Sequence, residues 1–117
     1  MPRDYRLYLE DILEAIARIE RYTSGVDFAL FSADEMRVDA VVRNLEIIGE
    51  AAKHVPQPQR DLTPAVEWRK IAGLRDVVAH QYFGVNLTII WDVVEHRLRD
   101  LHHASTLLLA AEPDEHP

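Results

Sequence analysis

A chain of 117 residues with a net charge of -7 is long enough for one domain around a single core, and its acidity argues against a constitutive duplex-DNA binder. Hydrophobic residues make up 48% of it, which excludes a disordered chain, and its longest apolar run, near Leu107 to Ala111, is far too short to span a membrane. The lack of cysteine excludes disulfides and thiol chemistry; with a charged segment from Arg3 onward in place of a signal peptide, it points to a soluble, cytoplasmic protein.

In chain order, Tyr5, Leu9, Ile12, Ile16 and Ile19 recur at alternating spacings of four and three, predicting a helix from about Asp4 to Tyr22. Gly25 suits a left-handed C-cap after it. Ser32 to Glu35 has the form of a capping box and predicts the start of a second long helix reaching about Val55, with Val38, Val41, Leu45, Ile48, Ala52 and Val55 as its stripe. Gly49 in its interior costs on the order of 1 kcal/mol relative to alanine, which is tolerated most simply where another helix crosses closely. Val55 to Arg60, with Pro56 and Pro58, reads as a loop. Thr63-Pro64 reads as an N-cap and first helical position, opening a short turn or helix. A helix from Trp68 to Tyr82 follows, irregular at Gly73 and closed by Gly84. Asn86 then caps a last helix with Leu87, Trp91, Val94, Leu98, Leu101, Ser105 and Leu108 on one side. Residues 112–117 read as a flexible polar tail. No stretch alternates with period two. The reading is a single all-α domain over residues 1–117, an antiparallel helical bundle of three long helices plus one or two shorter ones.

The charge is uneven. Residues 1–50 balance to -5, residues 51–75 to +3 and residues 76–117 to -5. The basic island ends on the chain's oddest feature, Arg75. On a helical wheel drawn from Trp68, Arg75 falls roughly 20° from Tyr82, inside the apolar stripe of Ile71, Leu74 and Val78. An unpaired buried charge costs several kcal/mol, so Arg75 calls for a carboxylate partner such as Glu46 or Glu50, or a cleft, including one made with a second subunit. His80 lies one turn beyond Asp76, the i, i+4 spacing at which a carboxylate orients an imidazole.

Metal and nucleotide motifs are missing. His54, His80, His96, His102, His103 and His116 form no HxxxH or HExxH pair, the glycines never cluster, and no serine sits in a nucleophile elbow. Arg75 and His80 are different. Cleaving a phosphodiester without metal needs a base for the ribose 2′-hydroxyl, an acid for the leaving oxygen and a cation for the phosphorane charge. Imidazole and guanidinium suit these roles, and a symmetric dimer doubles the set. Taken by themselves, one arginine and one histidine on a helix favour a buried structural pair.

The run Arg75-Asp76-Val77-Val78-Ala79-His80-Gln81-Tyr82 resembles the Arg-x4-His-x-Tyr motif of HepT-like toxins in the HEPN superfamily. The likeness extends to Arg43 through Ala51, to Trp68 through Leu74, and to Phe83-Gly84-Val85 with Trp91-Asp92, covering residues 5 to 110. It implies a homodimeric helical bundle and a metal-independent RNase toxin with its site at the subunit cleft. Arg75 and His80 would be the catalytic pair, supported by Asp76, with neither metal nor cofactor. It also implies a partner, an MntA-like nucleotidyltransferase antitoxin that transfers AMP to Tyr82, and an RNA substrate; no membrane or DNA partner is implied. Two other readings stay open: a non-catalytic subunit that binds the nucleotidyltransferase, which the acidity favours, and a structural dimer in which Arg75 pairs with Glu46 or Glu50.

Overall fold

The computed structural model describes residues 3–84 and 86–111, the side chains of residues 80–84 excepted. Among these residues the protein is an all-α bundle of eight helices without strands. Its frame is the pair α1 (Tyr5–Thr23) and α3 (Glu35–Ala52). The stripes that mark them in the sequence, Leu9, Ile12, Ile16 and Ile19 on one helix and Val38, Val41, Leu45 and Ile48 on the other, are buried against each other. Each fully buried apolar side chain of this size contributes roughly 1.5–3 kcal/mol, so this seam is the largest source of stability. Asp4 caps α1 by accepting from the Arg6 amide, and Gly25, at φ 71°, turns the chain away at its other end.

A short helix absent from the sequence reading, α2 (Phe28–Ala33), follows. Asp27 caps it, and it exists to deliver Phe31, which is fully buried and lies 4.9 Å from the Trp91 ring. This corrects the predicted capping box. Ser32 sits inside α2 and bonds back to the Ala29 carbonyl, while Asp34 caps α3 by accepting from the Arg37 amide. An Asp placed two residues later does the same job with a full charge at the helix N-terminus.

The proline-bearing stretch is also helical. In α4 (Gln57–Asp61), Pro58 occupies the first turn, where its missing N–H is no loss. Arg60 then reaches back, its Nε and Nη2 donating to the Val55 and Ala52 carbonyls at 2.9 Å each. It thereby satisfies the C-terminal acceptors of α3 with a cation. Thr63-Pro64 opens a turn rather than a helix, and the buried Thr63 hydroxyl accepts from the Trp68 indole at 2.9 Å.

Gly73 divides the predicted Trp68–Tyr82 helix into α5 (Trp68–Ala72) and α6 (Leu74–Gly84). The predicted last helix is likewise divided, at Arg97, into α7 (Leu87–His96) and α8 (Leu98–Ala110), so the third long helix of the sequence reading is two shorter ones. Asn86 makes no side-chain bond to the α7 amides; its carboxamide oxygen accepts from the Thr88 hydroxyl instead. α8 returns along α1, where Arg6 donates to the Leu109 carbonyl at 2.7 Å.

Helices α5 and α6 lie across α3 at Gly49. A Cβ built on Gly49 would stand 3.0 Å from the Arg75 amide nitrogen and 3.3 Å from the Ile71 carbonyl oxygen. Both neighbours are backbone and cannot swing aside. Gly49→Ala therefore gains helix propensity of about 1 kcal/mol but forces the crossing apart at a cost of about 1–3 kcal/mol. A net loss of stability is expected in urea unfolding, larger for Gly49→Val; a Gly49→Ala protein more stable than wild type would refute the tight crossing.

Candidate functional site

The Gly49 crossing decides where Arg75 goes. Leu74 and Val78 are buried as the wheel predicts, but Arg75 is exposed, its side chain 58% accessible. The wheel's stripe thus stops short of Arg75, and of the two outcomes its position called for, a carboxylate partner or a cleft, the structure shows both within this chain. The two helix backbones are so close that no interior space is left beside Gly49, and the Arg75 side chain leaves the contact sideways along α3. There its Nη1 donates to Glu50 Oε1 at 3.2 Å. Of the two carboxylates offered by the sequence, Glu50 is the partner.

Glu50 is shared. Lys53 Nζ lies 3.6 Å from its Oε1 and His54 Nε2 lies 3.7 Å from its Oε2, so three basic side chains surround one carboxylate. Lys53 first, and Arg75 after it, hold the Glu50 carboxyl below its ordinary value of 4.5. Of these groups Glu50 and Arg75 line an open cleft of about 400 Å3 between α1, α3 and α6, to which Arg3, Tyr8, Arg43 and Glu46 also contribute. Tyr8 stacks on the His54 ring with centroids 4.1 Å apart and planes 10° from parallel. The Arg3 guanidinium sits 4.6 Å from the centre of the same Tyr8 ring, anchored by Asp11 at 2.7 Å. The stack was not legible in the sequence, where Tyr8 belongs to no motif and His54 is one of six scattered histidines.

Asp76, exposed in the first turn of α6, has its amide bonded to the Gly73 carbonyl at 3.1 Å. α6 runs unbroken through positions 76, 80 and 82, so the one-turn register of Asp76 to His80 exists in the backbone. The side chains of His80 and Tyr82 lie outside the described residues. No three His, Asp or Glu side chains among the described residues come together as a metal-binding group.

The description "Ribonuclease HepT-like" belongs to the family whose model matches residues 12–107, a span holding all of α3, α5, α6 and α7. The chain belongs to the HepT-like ribonuclease family. It is 43% identical over 101 residues, 86% of its own length and 92% of the other's, to a Thermococcus cleftensis protein named "Probable ribonuclease HepT". Proteins named "Putative RNase" from Methanocaldococcus jannaschii and Caldanaerobacter subterraneus are 44% and 39% identical, covering 80% and 92% of this chain. These alignments span 78% and 96% of the relatives themselves. No solved structure matches it.

The linkage at Glu50 has a definite sign. A carboxyl held low in the folded state adds stability that is present above its ordinary value of 4.5 and lost as pH falls through the lowered one. Glu50→Gln removes that part of the acid sensitivity. Urea midpoints should be slightly lower in the variant near neutrality, the difference being small because exposed pairs contribute little, and the two profiles should converge as pH falls, so that the variant declines less steeply. Parallel acid profiles would show that the pairing at Glu50 is not coupled to folding.

Proposed function

We propose that this protein is a metal-independent endoribonuclease that acts as a homodimer, the toxin of a toxin–antitoxin pair. The observation that carries the reading is Arg75: in a chain of the HepT-like family, the motif arginine is exposed in a cleft within reach of a phosphate, not sealed in the core. In this reading one His80 takes the proton of the ribose 2′-hydroxyl, whose oxygen attacks the neighbouring phosphorus. The partner subunit's His80 gives a proton to the departing 5′-oxygen. Arg75 stabilises the charge that builds on the phosphorane oxygens, and Asp76 orients the imidazole one turn on. The names borne by the relatives support RNA as the substrate.

Control falls to Tyr82. An MntA-like nucleotidyltransferase would transfer AMP from ATP to its hydroxyl, releasing pyrophosphate. The adduct adds bulk and negative charge two residues from His80, where an RNA phosphate must enter. The second reading, a non-catalytic subunit that binds the nucleotidyltransferase, is favoured by the net charge of -7.

Purified protein should cleave single-stranded RNA in EDTA. His80→Ala should lose on the order of 10²–10⁴-fold in rate and Arg75→Ala about 10²–10³-fold, with unchanged circular dichroism. Equal activity of wild type and His80→Ala would remove His80 from the mechanism. Co-expression with the nucleotidyltransferase should add AMP mass at Tyr82 and abolish cleavage. A stable complex with neither AMP mass nor cleavage would favour the binding subunit.

A further inference from the structure

We propose that the cleft beside Arg75 is a nucleotide subsite that receives one ribonucleotide next to the scissile phosphate. Its base stacks on the outer plane of the Arg3 guanidinium, which the Tyr8 ring backs, and its phosphate lies between Arg43 and Arg75. The proposal rests on the ribonuclease reading above and adds to it the residues that grip the RNA.

Three guanidiniums from three parts of the chain meet at this cleft: Arg3 before α1, Arg43 on α3 and Arg75 on α6. Their situations differ. Arg3 is tied to Asp11 and held over Tyr8, while Arg75 is tied to Glu50. Arg43 is exposed and makes no ion pair or hydrogen bond among the described residues, although it lines the cleft. An anion entering there finds one uncommitted guanidinium at once, and recruits a second by exchange. Exchange at Arg75 is easy, because Glu50 gives it up and keeps both Lys53 and His54. The carboxylate is never left without a cation, so the penalty that usually opposes breaking an ion pair is small here.

The cleft is not a bare phosphate trap. Asp11, Glu46 and Glu50 also line it and balance the three arginines in formal charge. What distinguishes it is the Arg3 guanidinium laid flat over the Tyr8 ring, which His54 supports from its other face. Every base has a π-face, and aromatic rings and arginine planes are the surfaces on which unpaired RNA bases are held. At about 400 Å3 the cleft is within the range of small-ligand sites. Its ligand is therefore a nucleotide of single-stranded RNA, held by stacking plus two guanidiniums.

A fluorescent 2′-O-methyl RNA oligonucleotide, whose blocked hydroxyls prevent cleavage, is titrated into the full protein and followed by anisotropy. Tyr8→Ala should weaken binding about 10-fold while Tyr8→Phe binds as wild type. Arg43→Ala, at an exposed position that leaves the core untouched, should weaken it by a similar factor and reduce the slope of log K against log salt by about 1. An oligonucleotide of abasic residues should bind wild type weakly and not distinguish it from Tyr8→Ala. If wild type cleaves unmodified RNA, yet folded Tyr8→Ala and Arg43→Ala bind the probe as tightly as wild type, the subsite is overturned and the ribonuclease reading stands. A wild type that neither binds nor cleaves RNA overturns both.

Discussion

The contact on which the rest of the architecture depends is the backbone-to-backbone crossing at Gly49. Helix packing usually keeps axes 8–10 Å apart because side chains interdigitate. Here the missing side chain lets the Ile71–Arg75 backbone rest directly on α3. The consequences run outward. Leu74 and Val78 are pressed into the core on one side, while Arg75 is turned out on the other and delivered to the next residue of α3, Glu50. Arg60 secures the end of α3 just beyond, and the Thr63–Trp68 bond sets where α5 begins. The motif helix is thus positioned at its N-terminal end by buried or capped contacts, and the charged groups occupy the surface beside it.

That surface reconciles an acidic protein with an anionic substrate. The overall balance is -7, but the segment 51–75 carries +3, and the fold brings Lys53, His54 and Arg75 around a single carboxylate. Within about 10 Å, the screening length at ordinary ionic strength, the cleft carries as many arginines as carboxylates, in contrast to the acidic total. Local arrangement outweighs the total. The same arrangement keeps the site quiet without substrate, since its cations are mostly paired with carboxylates a few ångströms away.

Much of this was legible in the sequence because α1 and α3 declare themselves through regular stripes and caps, and because Gly49 in a helix interior has few explanations. The resemblance carried by Arg75 through Tyr82 agreed with the family match. What was not legible has physical causes. Continuous periodicity hides a short interruption: the stripe from Leu87 to Leu108 runs through Arg97 without a break in spacing, yet the helix stops there. Asp34 and Ser32 are both good caps, and only packing of Phe31 decides between them. A wheel assigns an angle but not a neighbour, so it could place Arg75 on the apolar side without showing that a glycine had closed the space there. Tyr8 and His54 lie 46 positions apart, beyond any local pattern.

Glu67 and Arg97 meet at 3.0 Å, at the foot of α5 and at the break before α8. Between them lies the whole excursion of α5, α6 and α7, so the ion pair clasps the two ends of the segment that carries the motif. Lys70 reinforces it from one side, and Lys70 before Arg97 holds the Glu67 carboxyl below its ordinary value. Because the clasp is exposed and made of charges, its grip weakens with added salt. The tie between the two feet of the motif segment is therefore one that ionic strength loosens, by the small amount an exposed pair contributes.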